Sequence, residues 1–259
     1  MAASTALQLI KSPYTPDSGT LAVHCGTLMD GIADVPLTDA VVIIESGRVT
    51  YAGSAADAPK VQPMLDLSTH TCLPGLIDMH DHIADSAGGS GDLKGYLSRT
   101  AAEQVAISRE NAETTLQAGF TTVRSVGAYI AWAENDIRDR VNRGEVTGPR
   151  IQAAGIYLTI PGGGGDLLIP GVAEKDIPAH VREGVARGAK AFAQKTRLAI
   201  DHGVDLIKII ASGAVLAYGG VPGAREMTPE EISAVVAVAH GAGIKVAAHA
   251  HGTQSIKDA

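Results

Sequence analysis

The sequence predicts an α/β chain in which a parallel sheet with crossover helices follows a small all-β segment. Three observations predict it. Between residues 73 and 259, short apolar runs with β-branched residues alternate five times with longer helical stretches, and such alternation builds a parallel sheet. Ahead of residue 73 the pattern is one of short strands and turns. Glycine makes up 30 of the 259 residues while aromatic residues are only 3%, so the core is built from Ala, Val, Ile and Leu joined by many tight turns.

The remaining composition narrows the function classes. With 45% hydrophobic and 19% charged residues the chain folds. A net charge of −7 argues against a nucleic-acid or anionic-membrane partner. There is no run of 18 apolar residues, and the first residues lack both a basic region and a long apolar stretch, so no membrane span and a cytoplasmic location are expected. Cys25 and Cys72 are too few for a disulfide framework. They read as two buried free thiols, with a single bridge as the alternative.

Two domains are expected, residues 1–72 and 73–259. In the first, LAVHCGTLMDG is a strand closed by a turn at Asp30-Gly31. Residues 39–53 form a hairpin, with strands at 41–45 and 48–52 around Ser46-Gly47. In the second, strands are expected at 73–83, 121–127, 149–155, 205–211 and 245–252, and helices near 100–118, 131–143, 178–203 and 228–242. The last helix begins with Thr228 as N-cap, Pro229 at the first helical position, then Glu230 and Glu231 in the first turn. At about 31 residues per β/α unit, the stretch from 73 onward holds five or six units. An open five-stranded sheet and a barrel cut short both satisfy that count.

Three strands carry residues with metal or proton chemistry. His80 and His82 flank Asp81, and residues two apart on a strand project to one face. Two imidazoles side by side suit a divalent metal such as zinc; the plainer alternative is a pair of surface histidines. Asp78 shares their parity. Lys208 sits inside Leu206–Ile210, a strand that reads as buried on both faces. A lysine there is costly unless paired or neutralised, or else it snorkels from the strand end. His249 and His251 again share parity. All lie at or near strand C-termini, where barrel active sites are built, and this favours the barrel cut short.

These residues resemble the amidohydrolase superfamily. LPGLIDMHDHI is similar to its first barrel strand, GFTTVRSVG and GPRIQAAG to the second and third, VDLIKIIASGAV to the fourth and KVAAHAHG to the fifth. The branch it most resembles holds Xaa-Pro dipeptidases, acyl-amino-acid hydrolases and imidazolonepropionases. The resemblance implies a (β/α) barrel of which about five strands are present, preceded by part of a small β-sandwich. It implies His80 and His82 as ligands of the more buried metal and Lys208 as a lysine carbamylated by carbon dioxide that bridges two metals, with zinc expected. His249 matches the fifth-strand ligand, which leaves His251 at the pocket mouth to touch substrate. The implied reaction is hydrolysis of a small-molecule amide, dipeptide-like or N-acyl amino acid, or a cyclic amide of the imidazolonepropionase kind.

The chain departs from that pattern in three places. The family's sixth-strand histidine and eighth-strand aspartate have no counterpart in these 259 residues, so no general base is named. A half-barrel that only binds metal or a partner is therefore the reading from another class. Gly162–Gly165 stand where the branch often has a histidine, and they read as a lid. Arg124-Ser125 stand where Arg-Asp is common. The apolar stretch 212–220 follows the Lys208 strand, and Leu216 is its first candidate for holding a hydrophobic substrate group. His24, His70, His180, His202 and His240 read as surface or loop residues. A partial sheet leaves an exposed parallel edge, and a homo-oligomer is expected.

Overall fold

Residues 19–85, 93–217 and 220–259 are described by the structure, a computed structural model. The chain divides into two units, one ending at Leu76 and one running from Ile77 to Ala259.

In the first unit β1 (Thr20–Leu28), β2 (Leu37–Glu45), β3 (Arg48–Ser54) and β4 (Met64–Cys72) form one sheet in the order β3-β2-β1-β4. The β2–β3 hairpin turns through Ser46 and Gly47, both at positive φ (49° and 73°). That geometry matches the right-handed twist of the strands it joins. Ala22, Val41 and Ile43 form its buried centre. Strands β1 and β4 run parallel, and their register shifts between Cys25 and Thr27. Gly26 is required at the shift, because a Cβ there would stand 2.1 Å from the Ser68 carbonyl oxygen.

The expectation of two free thiols fails here. Cys25 and Cys72 are joined in a disulfide with Cα atoms 5.9 Å apart. The reason lies in the register. Strands β1 and β4 are hydrogen-bonded neighbours, and the shift carries Cys72 back towards Cys25. That separation falls within the range a disulfide spans.

The second unit alternates strands and helices. Strand β5 (Leu76–Asp81) is followed by α1 (Ala101–Gln117), β6 (Phe120–Ser125), α2 (Ala133–Asn142), β7 (Arg150–Ala153) and β8 (Tyr157–Leu158). Then come α3 (Ala189–Asp201), β9 (Leu206–Ile210), α4 (Pro229–Gly241), β10 (Lys245–His249) and α5 (Thr253–Asp258). The third expected strand is broken in two at Gly155, which has φ 77°. Strand β7 pairs with β6, while β8 pairs with β9. One stretch of chain thus joins the sheets β5-β6-β7 and β8-β9-β10 into an arc of five passes. The Asp205 N–H donates to the Ala153 carbonyl across the break.

Helices cover the outer face. Ile207 and Ile209 pack with Phe192 of α3 and Ile232 and Val235 of α4. Val123 and Ile151 pack with Ala112 of α1 and Ile137 of α2. Thr100 and Thr228 each form a capping box, with Glu103 and Glu231. The helix expected over 178–203 is shorter, Ala189–Asp201, and the rest of that stretch holds no helix but a 3-10 turn at Ala179–Val181. Gly184 passes so close to the Tyr157 carbonyl that a Cβ would lie 1.9 Å from it. Gly188 at φ 83° then turns the chain into α3. Among the described residues no helix is long and apolar enough to cross a membrane.

Candidate active site

The inner face of the arc borders an open cavity of about 880 Å³. His80, His82, Lys208, His249, His251 and Leu216 all line it. Strand register explains the convergence. Lys208 is paired with Tyr157 on one side and Ala247 on the other, and Ile210 is paired with His249. Laterally paired residues share a face, and so do residues two apart. Tyr157, Lys208, Ile210 and His249 therefore point inward, while Ile207 and Ile209 point to the helices. The rings of His80 and His82 stand 5.4 Å apart, and those of His249 and His251 4.5 Å.

Lys208 is 3% exposed and makes no ion pair among the described residues. Burial lowers its pKa to about 8, and the Arg124 charge adds to the fall. Its ammonium in turn lowers both His80 and His249, after burial as the larger cause in each. Lys208 thus sits within electrostatic reach of histidines from both ends of the arc. His249 also carries a buried Nε2 without a hydrogen-bond partner among the described residues.

His82 is oriented from the neighbouring strand. Its Nδ1 lies 2.9 Å from the Gly127 carbonyl oxygen. A carbonyl only accepts, so Nδ1 carries the proton and Nε2 is left as the acceptor. The Tyr157 hydroxyl is 3.0 Å from the same nitrogen and donates to Asp85 Oδ2 at 3.3 Å. Asp85 Oδ1 is out of water's reach and unpartnered among the described residues. Burial pushes the Asp85 carboxyl up to about 6, against the pull of the Tyr96 and Tyr157 hydroxyls.

Sequence reasoning missed Asp85, Tyr157 and Glu134. Glu134 is fully buried and accepts from Ser125 Oγ (2.6 Å) and from the backbone N–H of Gly127 (2.8 Å), Ala154 (3.0 Å) and Gly155 (2.8 Å). Burial pushes its carboxyl up to about 7, while those donors favour the ionised form. In the sequence it reads as an ordinary acid in a first helical turn. Nothing local marks its partners, which lie up to 21 residues away.

The other expected positions resolve individually. Asp78 turns away to accept the His80 backbone N–H at 2.9 Å. Arg124 Nε donates to the Met79 carbonyl at 2.7 Å, and Ser125 Oγ accepts the Ile83 N–H at 3.0 Å. In the glycine run, Gly164 lines the cavity and its N–H donates to both Glu226 carboxylate oxygens (3.1 and 2.9 Å). Leu216 and Val215 are exposed, at 70% and 77%, on the cavity rim.

The donor set suits a divalent metal. Among the described residues no three His, Cys, Asp or Glu side chains form a metal-holding set by themselves. The cavity offers histidine nitrogens, one lysine amine and the carboxyl groups of Asp81, Asp85 and Glu110. An unpartnered buried Nε2 on His249 is the state that ligation relieves. A His82 Nδ1–H held by a backbone carbonyl is the usual outer support of a metal-ligating histidine.

Comparison with known proteins bears on the family and the fold. The profile of the amidohydrolase family matches residues 71–259. Ochratoxinase from Aspergillus niger is 27% identical over 93% of this chain and 52% of its own length. Imidazolonepropionase from Xanthomonas oryzae pv. oryzae is 26% identical over 76% of this chain and 28% of its own. A solved Xaa-Pro dipeptidase with bound methionine in its active site superposes with a TM-score of 0.83 at 31% identity, over 93% of this chain and 59% of that one. The chain spans about half the length of the ochratoxinase it matches. Its arc is a partial (β/α) barrel.

Proposed function

Since the chain belongs to the amidohydrolase family, we propose that it carries the metal-holding part of a hydrolase that cleaves the C–N bond of a small amide. The substrate class is a dipeptide-like or N-acyl amino acid. The observation that supports this best is the convergence of His80, His82, Lys208 and His249 on one cavity. In this reading His80 and His82 would hold one metal and His249 a second, and Lys208 as its carbamate would supply an anionic ligand to the centre, with zinc as the expected ion. A bound metal pair supplies Lewis-acid polarisation of the amide carbonyl and acidification of water.

The chain's own residues do the rest. Burial keeps a larger fraction of Lys208 as the neutral amine at neutral pH, the form that adds to carbon dioxide with loss of a proton. Gly127 fixes the His82 ring through Nδ1. The T-shaped pair Tyr129 and Tyr157, rings 5.2 Å apart, forms an apolar wall. Val215 and Leu216 offer an apolar rim for a hydrophobic substrate group, and His251 stands ready to hydrogen-bond it. A cavity of about 880 Å³ suits a small molecule. The imidazolonepropionase similarity supports a cyclic amide as the second substrate class.

The test is metal content and hydrolysis together. Purified chain loaded with zinc and bicarbonate is expected to hold near two equivalents, and His82→Ala and His249→Ala to hold fewer. A panel of Xaa-Pro dipeptides, N-acyl-phenylalanines and imidazolone propionate sorts the substrate. Metal content unchanged in both variants refutes the assignment.

A further inference from the structure

We infer that Glu134 is a positioning residue for this centre: through Ser125 and Gly127 it holds His82 with Nδ1 protonated and Nε2 free. The inference rests on the reading above only in taking Nε2 as the working atom. Glu134 itself lines no part of the cavity.

The hydrogen-bond connectivity carries the inference. Each Glu134 oxygen takes two donors. Oε1 accepts from Ser125 Oγ and the Gly127 N–H, and Oε2 from the Ala154 and Gly155 N–H groups. The carboxylate thereby clamps the turn after β6 to the turn after β7. Ser125 Oγ extends the clamp to β5 by accepting the Ile83 N–H at 3.0 Å, one residue beyond His82. Three of the four donors on Glu134 are backbone N–H groups, which cannot reverse their role.

Gly127 is the link to the ring. It stands at φ 106°, and a Cβ there would lie 2.6 Å from the Tyr157 ring. The Glu134 contact to its N–H holds this turn in place. The Gly127 carbonyl then meets His82 Nδ1 at 2.9 Å. Glutamine at 134 keeps the size but replaces one acceptor oxygen with an N–H₂ group facing two donors. One end of the clamp is lost whichever way the amide turns.

Long-range ¹H–¹⁵N correlation of the histidine rings in the metal-free chain, at a pH where they are neutral, reports the tautomer directly. In the wild-type chain His82 is expected as the Nδ1–H tautomer. In Glu134→Gln it is expected to drift towards Nε2–H, while His249, on the far side of the arc, keeps its wild-type pattern. Zinc affinity is expected to fall roughly 10- to 100-fold, as for loss of an outer partner of a metal-ligating histidine. A variant that is less stable but keeps the wild-type His82 tautomer and zinc affinity overturns the inference. So does a wild-type His82 found as Nε2–H. If Glu134→Gln fails to fold, Ser125→Ala removes one donor and the Ile83 tie, and a His82 tautomer unmoved in that variant is equally fatal. Failure of the wild-type chain to bind zinc sinks the hydrolase reading but leaves the tautomer result standing.

Discussion

Replacing Asp85 with asparagine should remove a pH dependence of stability that the native fold builds in. Burial raises the Asp85 pKa from 3.8 to about 6. The folded chain therefore binds more protons at this site than the unfolded chain between those values. Stability then falls as pH rises through that window. A rise of about 2 pH units corresponds to about 3 kcal/mol over the whole range, of which about 2 kcal/mol falls between pH 4.5 and 8. Asparagine does not titrate and keeps an oxygen to accept the Tyr157 hydroxyl. The measurement is urea denaturation of metal-free chain followed by the fluorescence of Trp132, the one tryptophan in the sequence, which lies in the same unit as Asp85. The quantity that matters is wild type minus variant at each pH, because Glu134, His80 and His249 also titrate abnormally and cancel in the difference. That difference should shift in the variant's favour by about 2 kcal/mol from pH 4.5 to pH 8. A flat difference, or one of opposite slope, refutes the account of Asp85 as a carboxyl whose ionisation burial opposes.

Further outcomes follow from the same geometry. Gly127→Ala should cost about 2 kcal/mol or more, since a Cβ would sit 2.6 Å from the Tyr157 ring at a backbone angle that L-residues avoid; a fully stable variant in equilibrium denaturation counters this. Thiol titration of unfolded, non-reduced chain should find no free cysteine, and Cys72→Ser should destabilise the first unit by about 4 kcal/mol for a separation of 47 residues. Free thiols in protein purified under oxidising conditions contradict the bridge. Leu216→Ser should leave stability within about 0.5 kcal/mol, because the residue is exposed. It should weaken binding of an N-acyl-phenylalanine about tenfold, the worth of burying much of a leucine side chain; unchanged affinity removes Leu216 from the substrate surface.

The inner histidines and Lys208 were legible because strand parity is local. His80-Asp81-His82 shows its geometry within three residues, and Lys208 betrays itself by standing alone among Leu206, Ile207, Ile209 and Ile210. The capping box at Thr228 was legible for the same reason. What stayed hidden depends on residues far apart in the chain. Glu134 looks like any acid at a helix start until the turns after β6 and β7 close around it. Tyr157 looks like a loop aromatic until the break at Gly155 makes it a strand residue paired with Lys208. The thiol expectation failed because two cysteines 47 residues apart carry no register, and register is what brings them together. The helix expected over 178–203 is overlong because the missing side chain of Gly184 is what lets the Tyr157 carbonyl approach, a contact between distant parts of the chain.

From β5 to β9 the supports of the candidate centre follow a succession around the arc, while His251 beyond β10 is tied back to Ser212 through its N–H. His82 follows the last residue of β5, and it is held by Gly127 from the turn after β6. The Ile83 N–H that follows is held by Ser125 of β6. Ser125 and Gly127 are held by Glu134, which also grips Ala154 and Gly155 after β7. The Ala153 N–H donates to Asp205 just before β9, and the Ala211 N–H after β9 donates to the His249 carbonyl of β10. The ends of β5, β7 and β9 are thus each tied to a later pass of the chain, and the end of β6 to the helix that follows it. A substitution should therefore disturb the inward residue on its own strand less than the one on the strand before it. Ser125→Ala tests the rule, since the Ser125 hydroxyl bonds Glu134 and the Ile83 N–H and none of His80, His82, Lys208 and His249. It should perturb the His82 ring resonances more than those of Lys208 or His249, in a chain of otherwise native fluorescence. Equal perturbation around the whole arc would mean that the site is held by general packing instead of by this succession of hydrogen bonds.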